Sequence, residues 1–158
     1  MAKQRSVSVT DEIHAPAKEV YAILADYHNH HPRILPGNFF THLEVEEGGI
    51  GAGTIVQAEM KVFGRKQRFR MRVTEPEPGR MLSETDLDTG LVTTFTVTPV
   101  DAERCTVNFT TTWQARPGIQ GWLEGLTMPS FLRNVYREEL QKLDRYAQAE
   151  VAGLPSEL

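Results

Sequence analysis

At 158 residues, with 40% hydrophobic and 24% charged residues, the chain has the size and balance of one globular domain able to bury a core or enclose a cavity. Its formal net charge of −4 excludes a broad electrostatic grip on nucleic acid, and a single cysteine, Cys105, excludes an internal disulfide and a thiolate metal cage. The opening MAKQRS lacks the apolar core of a secretory signal and no run is long enough to span a membrane, so a cytoplasmic protein without stable membrane insertion is expected.

Ser6 to Ile13 alternates, with Val7, Val9 and Ile13 on one face, and reads as a strand. HAPAKEVYAILADY follows as a short helix, with Pro16 suited to its first turn and Val20, Ile23 and Leu24 forming an apolar stripe. Tyr27 to Pro36 is expected to hold a second helical turn, interrupted by Pro32 and the Pro36–Gly37 pair.

From here the period becomes strand-like. FFTHLEVEE, TIVQAEMKV, RKQRFRMRVTE, MLSETDL, TTFTVTPV and CTVNFTTTW are separated by turn-like links, the pattern of an antiparallel meander. In the first of these, Thr41, Leu43 and Val45 are expected on the core face, with Phe40, His42 and Glu44 opposite. A turn at Phe63–Gly64 fixes the next hairpin. Val56, Ala58 and Met60 then oppose Met71, Phe69 and Gln67 on one face, and Glu59 opposes Arg68 while Gln57 opposes Arg70 on the other. GIQGWLEGL reads as a first helical piece that Pro129 kinks or restarts. Beyond it Leu132, Val135, Tyr136, Leu140, Leu143 and Ala147 recur at helical spacing.

The run I-H-A-P-A-K-E-V-Y-A-I-L-A-D-Y, a downstream L-P-G, and a G-x-G-T that opens a strand resemble the polyketide cyclase/dehydrase family of the START-like (SRPBCC, helix-grip) superfamily. The resemblance implies an α+β helix-grip fold: a curved antiparallel sheet of about seven strands around a long C-terminal helix, with two short helices after the first strand. The expected division is an arm over 1–5, the domain over 6–149 and a tail over 150–158. Where relatives often carry an aromatic shortly before L-P-G, this chain has H-N-H-H-P-R-I.

A hydrophobic pocket is part of what the resemblance implies. Met60, Phe69, Met71, Phe95, Phe109 and Trp113 fall on inward parities, and Phe131, Val135 and Tyr136 lie on the closing helix. Periodicity assigns all nine to the core; the resemblance makes them candidate pocket lining for a small hydrophobic ligand such as a lipid, quinone or polyketide-like compound. His28 and His31 are placed at the pocket rim, with at most one histidine of the cluster turning inward. No metal or other cofactor is expected, because His28 and His31 find no third ligand at convincing spacing. An enzyme is the alternative: a cyclase, aromatase or dehydratase using a pocket His or Glu as acid or base, tested by whether two titratable groups converge in the cavity.

Other motifs read plainly. G-G-I-G-A-G-T leads into a strand where a phosphate loop needs a helix, so it is a flexible hairpin connection. Arg68, Arg70 and Arg72 share a solvated face, and no nucleic acid is expected there; a protein partner for that face stays open. Cys105 is buried filler, His42 is on the surface, and Glu84 and Asp86 read as surface groups at a strand end.

Overall fold

A computed structural model of the chain describes residues 3–154. The elements run β1 (Gln4–Ile13), α1 (Ala17–Ala25), α2 (His31–Ile34), β2 (Phe40–Glu47), β3 (Ile55–Val62), β4 (Arg65–Glu77), β5 (Met81–Asp86), β6 (Val92–Pro99), β7 (Cys105–Gln114) and α3 (Gly118–Ala152). All seven strands form one curved antiparallel sheet in the order β1-β7-β6-β5-β4-β3-β2. β2 to β7 are therefore a continuous meander, and β1 closes its far side by pairing with β7 from Gln4–Gln114 to Ile13–Cys105.

The β3–β4 hairpin has the register its alternation dictates: Ala58 faces Phe69, Val56 faces Met71 and Val62 faces Arg65. Phe63 turns the chain at φ 50° and Gly64 at φ 77°, the left-handed pair a two-residue hairpin demands. On the solvent face Arg68 pairs with Glu59 at 3.4 Å and Arg70 with Glu46 at 2.8 Å.

β2 departs from simple alternation. The register slips between Phe40, which faces Met60, and His42, which faces Glu59. This bulge turns Phe40 inward and leaves Thr41 exposed, reversing the sides expected for those two residues. His42 remains exposed, with Leu43 and Val45 turned toward the core.

Both prolines expected to interrupt helices are absorbed. Pro32 lies in the first turn of α2, where no intrahelical N–H is required. Pro129 lies inside α3, which stays one helix over 35 residues. α3 ends in a Schellman turn: Gly153 takes φ 67° and the Leu154 N–H reaches the Ala149 carbonyl at 2.9 Å. The helix thus runs three residues past the boundary expected at Ala149.

The glycine-rich β2–β3 connection is bonded down, against the expectation of a flexible link. Tyr27 N–H reaches the Gly49 carbonyl at 2.8 Å, Gly51 N–H reaches the Ala25 carbonyl at 2.9 Å, and buried Thr54 accepts the Gly49 N–H at 3.0 Å. Gly49 has φ 143°, and a Cβ there would lie 1.9 Å from His28 Nε2. Glycine is the residue that lets this loop lie under the α1–α2 connection.

Candidate functional site

The inner face of the sheet carries Val56, Ala58, Met60, Phe69 and Met71 from β3 and β4, and Thr93, Phe95 and Thr111 from β6 and β7. α3 lies across it with Leu132, Tyr136 and Glu139 turned inward. Between them is a cavity open at one mouth, with Leu35, Phe40, Leu43 and Leu91 completing the apolar wall. The small side chain of Ala58 leaves that volume free on the sheet side.

One end of the cavity is polar, built by Tyr27 between α1 and α2, His31 of α2, Glu84 of β5 and Glu139 of α3. The His31 ring stacks on Tyr27 with centroids 4.5 Å apart and meets Phe95 edge-on at 5.7 Å. Its Nδ1–H donates to the Leu24 carbonyl at 2.7 Å, so Nε2 is the nitrogen left to face the cavity. Nε2 stands 3.8 Å from Glu84 Oε1 and 4.0 Å from Glu139 Oε1. The Tyr27 hydroxyl donates to Glu84 Oε1 at 2.6 Å. Beyond this group the Tyr136 hydroxyl is bonded to Thr111, which bonds Thr93 at 2.8 Å.

The electrostatics follow from burial. Removal from water, followed by repulsion from Glu84, holds the Glu139 carboxyl well above the usual carboxylate range, against a smaller pull from Lys142. Burial and then the charge of Glu84 push Tyr27 far up. Burial likewise pushes Tyr136 up to about 12. The surroundings of Glu139 therefore favour its uncharged acid form, which can donate a hydrogen bond, and Glu84 Oε1 beside it accepts from Tyr27.

The candidate residues separate into three groups. Met60, Phe69, Met71, Phe95 and Tyr136 line the cavity. Phe109 and Val135 lie behind the lining: Phe109 packs edge-on against Phe95 at 4.6 Å and Tyr136 at 5.6 Å, and both residues are fully buried. Trp113 and Phe131 lie outside it. Trp113 is opposite Arg5 near the sheet end, beside Gly90 and Val92, and Phe131 sits between Phe39 at 5.5 Å and Phe63 at 5.1 Å. Trp113 has the inward parity of β7, but parity does not say how far along a strand the cavity extends.

The histidines diverge. His28 is exposed and its Nε2 lies 3.0 Å from the Gly48 carbonyl, away from the rim where it was expected. His30 Nδ1 lies 2.6 Å from the Tyr146 hydroxyl. His31 alone of the three reaches the cavity, at its buried end instead of its rim. Glu84 and Asp86 also depart from the surface expected of them. Glu84 turns into the cavity, and buried Asp86 caps the β5–β6 turn by accepting from Thr89 Oγ1 at 2.6 Å. Cys105 is buried, as expected, and burial raises its thiol to about 11.

Sequence reasoning missed Glu139 and Tyr27. Glu139 was detectable, because it stands four residues after Val135 and four before Leu143, a charge in the middle of the apolar stripe. Tyr27, just past the end of α1, carries no periodic signal.

Among curated proteins there is no match to the chain. Among solved structures it is similar to the KanY protein, at 29% identity and TM-score 0.79, over 92% of this chain and 99% of that one. It is similar in fold to the Zhui aromatase/cyclase from Streptomyces sp. R1128, at 20% identity and TM-score 0.79, over 97% of this chain and 100% of that one. A START superfamily protein from Mycobacterium smegmatis aligns at 15% identity and TM-score 0.71, over 90% of this chain and 97% of that one. The family model described as polyketide cyclase/dehydrase and lipid transport matches residues 4–148, so the chain belongs to that family.

Proposed function

We propose that the protein binds a small, largely apolar molecule in the cavity between sheet and α3, of the lipid, quinone or polyketide-like class. The lining carries this reading: aromatic, methionine and aliphatic side chains around a cavity with polar groups at one end. Met60 and Met71 adapt the wall to more than one ligand shape, while His31, Glu84, Glu139 and Tyr136 orient an oxygen-bearing end.

The substitution Ala58→Trp tests it by filling the cavity from the sheet. The variant is expected to lose co-purifying apolar molecules in native mass spectrometry, and to bind an environment-sensitive naphthalene dye at least about tenfold more weakly. Dye binding equal to that of the parent, with the fold intact by circular dichroism, would place the binding surface elsewhere.

The convergence of His31 with Glu84 and Glu139 favours a second reading, acid–base catalysis on a bound carbonyl compound, as in a cyclase, aromatase or dehydratase. Glu139 would donate a proton to the carbonyl oxygen while Glu84, held by Tyr27, takes one from carbon. Exchange of the α-hydrogens of 2-tetralone in heavy water, followed by NMR, is the assay. Glu84→Gln is expected to lower the exchange rate by about two orders of magnitude without loss of 2-tetralone binding. Bound 2-tetralone exchanging no faster than in buffer would leave binding alone as the role.

A further inference from the structure

The first three turns of α3 are inside out. At the inward positions stand glycines: buried Gly121, where a Cβ would meet the Arg116 carbonyl oxygen, and Gly125, where it would meet the Arg5 guanidinium. At the outward positions stand Ile119, Trp122, Leu123 and Leu126, spaced i, i+3, i+4, i+7 and exposed by 79%, 62%, 49% and 59%. An ordinary surface helix has the opposite arrangement, and α3 itself reverts to it from Leu132 onward. Four large apolar side chains on one exposed stripe are an unpartnered interaction face.

Charge at its border indicates the partner. Lys3, Arg5 and Arg116 line one groove with Trp122, and the single acid of this helical segment, Glu124, is tied to Arg116 at 3.5 Å. Five residues beyond Leu126, Phe131 packs against exposed Phe63, at the tip of a hairpin that carries Lys61, Arg65 and Lys66. Cationic clusters thus accompany the apolar stripe in a chain whose formal net charge is −4. Stripe-to-stripe pairing of two copies would bring two cationic rims together, which opposes it. A folded acidic partner would need a concave match for a convex helix. An anionic bilayer needs none, and takes Trp, Leu and Ile into its acyl boundary while cations meet its headgroups.

We propose that the outer face of α3 from Ile119 to Leu126, with Lys3 and Arg116 beside it, docks the protein reversibly on an anionic lipid surface. No described helix is long and apolar enough to cross a membrane, so this is contact in the plane of the interface. Phe131 is followed directly by Leu132 of the cavity wall, and Phe39 beside it by Phe40, so docking sets the cavity close to the bilayer. The proposal goes beyond ligand binding and stands whether or not the cavity is filled.

The test uses the full chain with Trp113→Phe, which leaves Trp122 as the sole indole reporter. Vesicles of phosphatidylcholine with about one third phosphatidylglycerol are expected to blue-shift its emission and to carry the protein in flotation, whereas pure phosphatidylcholine does so at least about tenfold less. Leu123→Glu with Leu126→Glu is expected to lower partitioning by about tenfold or more at unchanged melting temperature. Lys3→Glu with Arg116→Glu, or salt raised from ~0.1 to ~0.5 M, removes the preference for anionic vesicles. Absence of binding, or equal binding to both vesicle types, overturns the proposal. So does a dimer, seen by sedimentation, that Leu123→Glu dissolves, since a second copy would then be the occupant.

Discussion

Glu139→Gln is expected to stabilise the protein, by an amount that grows with pH. In the folded chain this carboxyl is fully buried, and desolvation together with Glu84 holds it protonated well above its ordinary range. Below the unfolded-state pKa of about 4.3 both states carry the proton and the residue gives no pH dependence. As pH rises past that value the unfolded chain releases its proton while the folded chain retains it. The wild type then loses about 1.4 kcal/mol per pH unit against the variant, until the folded carboxyl itself ionises. The groups facing Glu139 are Tyr27 and His31 from the α1–α2 region, Glu84 from β5, Tyr136 one turn back and Lys142 one turn on. They are common to both proteins, so the difference in melting temperature between variant and wild type isolates Glu139. That difference should be smallest at about pH 4 and widen as pH rises, until the folded carboxyl ionises. A constant difference, or a variant less stable at neutral pH, would mean that the carboxylate is compensated in the folded state.

Phe109→Ala is expected to cost about 3–5 kcal/mol of unfolding free energy, because the ring is fully enclosed behind Phe95 and Tyr136 and the void cannot fill. Phe69→Ala, by contrast, removes a half-buried ring that already borders empty space, and should cost less than half as much. Urea unfolding with an unchanged denaturant slope measures both. Equal losses would mean that Phe69 is packed as tightly as Phe109 and that the cavity is closed at that wall. The pair therefore separates residues that hold the cavity up from those that line it.

The sequence made regular features legible and irregular ones opaque. The β3–β4 register could be read because Val56 to Met60 and Arg68 to Met71 alternate with a two-residue period and the Phe63–Gly64 turn fixes its phase. The inward set on α3 could be read for the same reason at period 3.6. Phe40 and Thr41 were misplaced by one bulge, a break in period that leaves no mark on composition. Histidine spacing made His28 and His31 look equivalent, yet the first meets a loop carbonyl and the second stacks on Tyr27. Glu84 was assigned to the surface on the general habit of carboxylates, and only the approach of α2 and α3 to the end of β5 encloses it. The cavity wall was thus substantially legible in strand parity. Its polar end was not, because that end is assembled from four elements distant in sequence.

The pairing of β1 with β7 also has a consequence in time. The partners of Ser8 and Ile13 are Thr110 and Cys105, so β1, the first strand of this sheet to be synthesised, waits until the last one, β7, has been made before its ladder can form. Closing so large a loop is entropically slow, and the apolar face of the meander stays uncovered until α3, the last element, arrives. Folding therefore completes only after the C-terminal helix is released, and the nascent sheet is exposed to association with other chains until then.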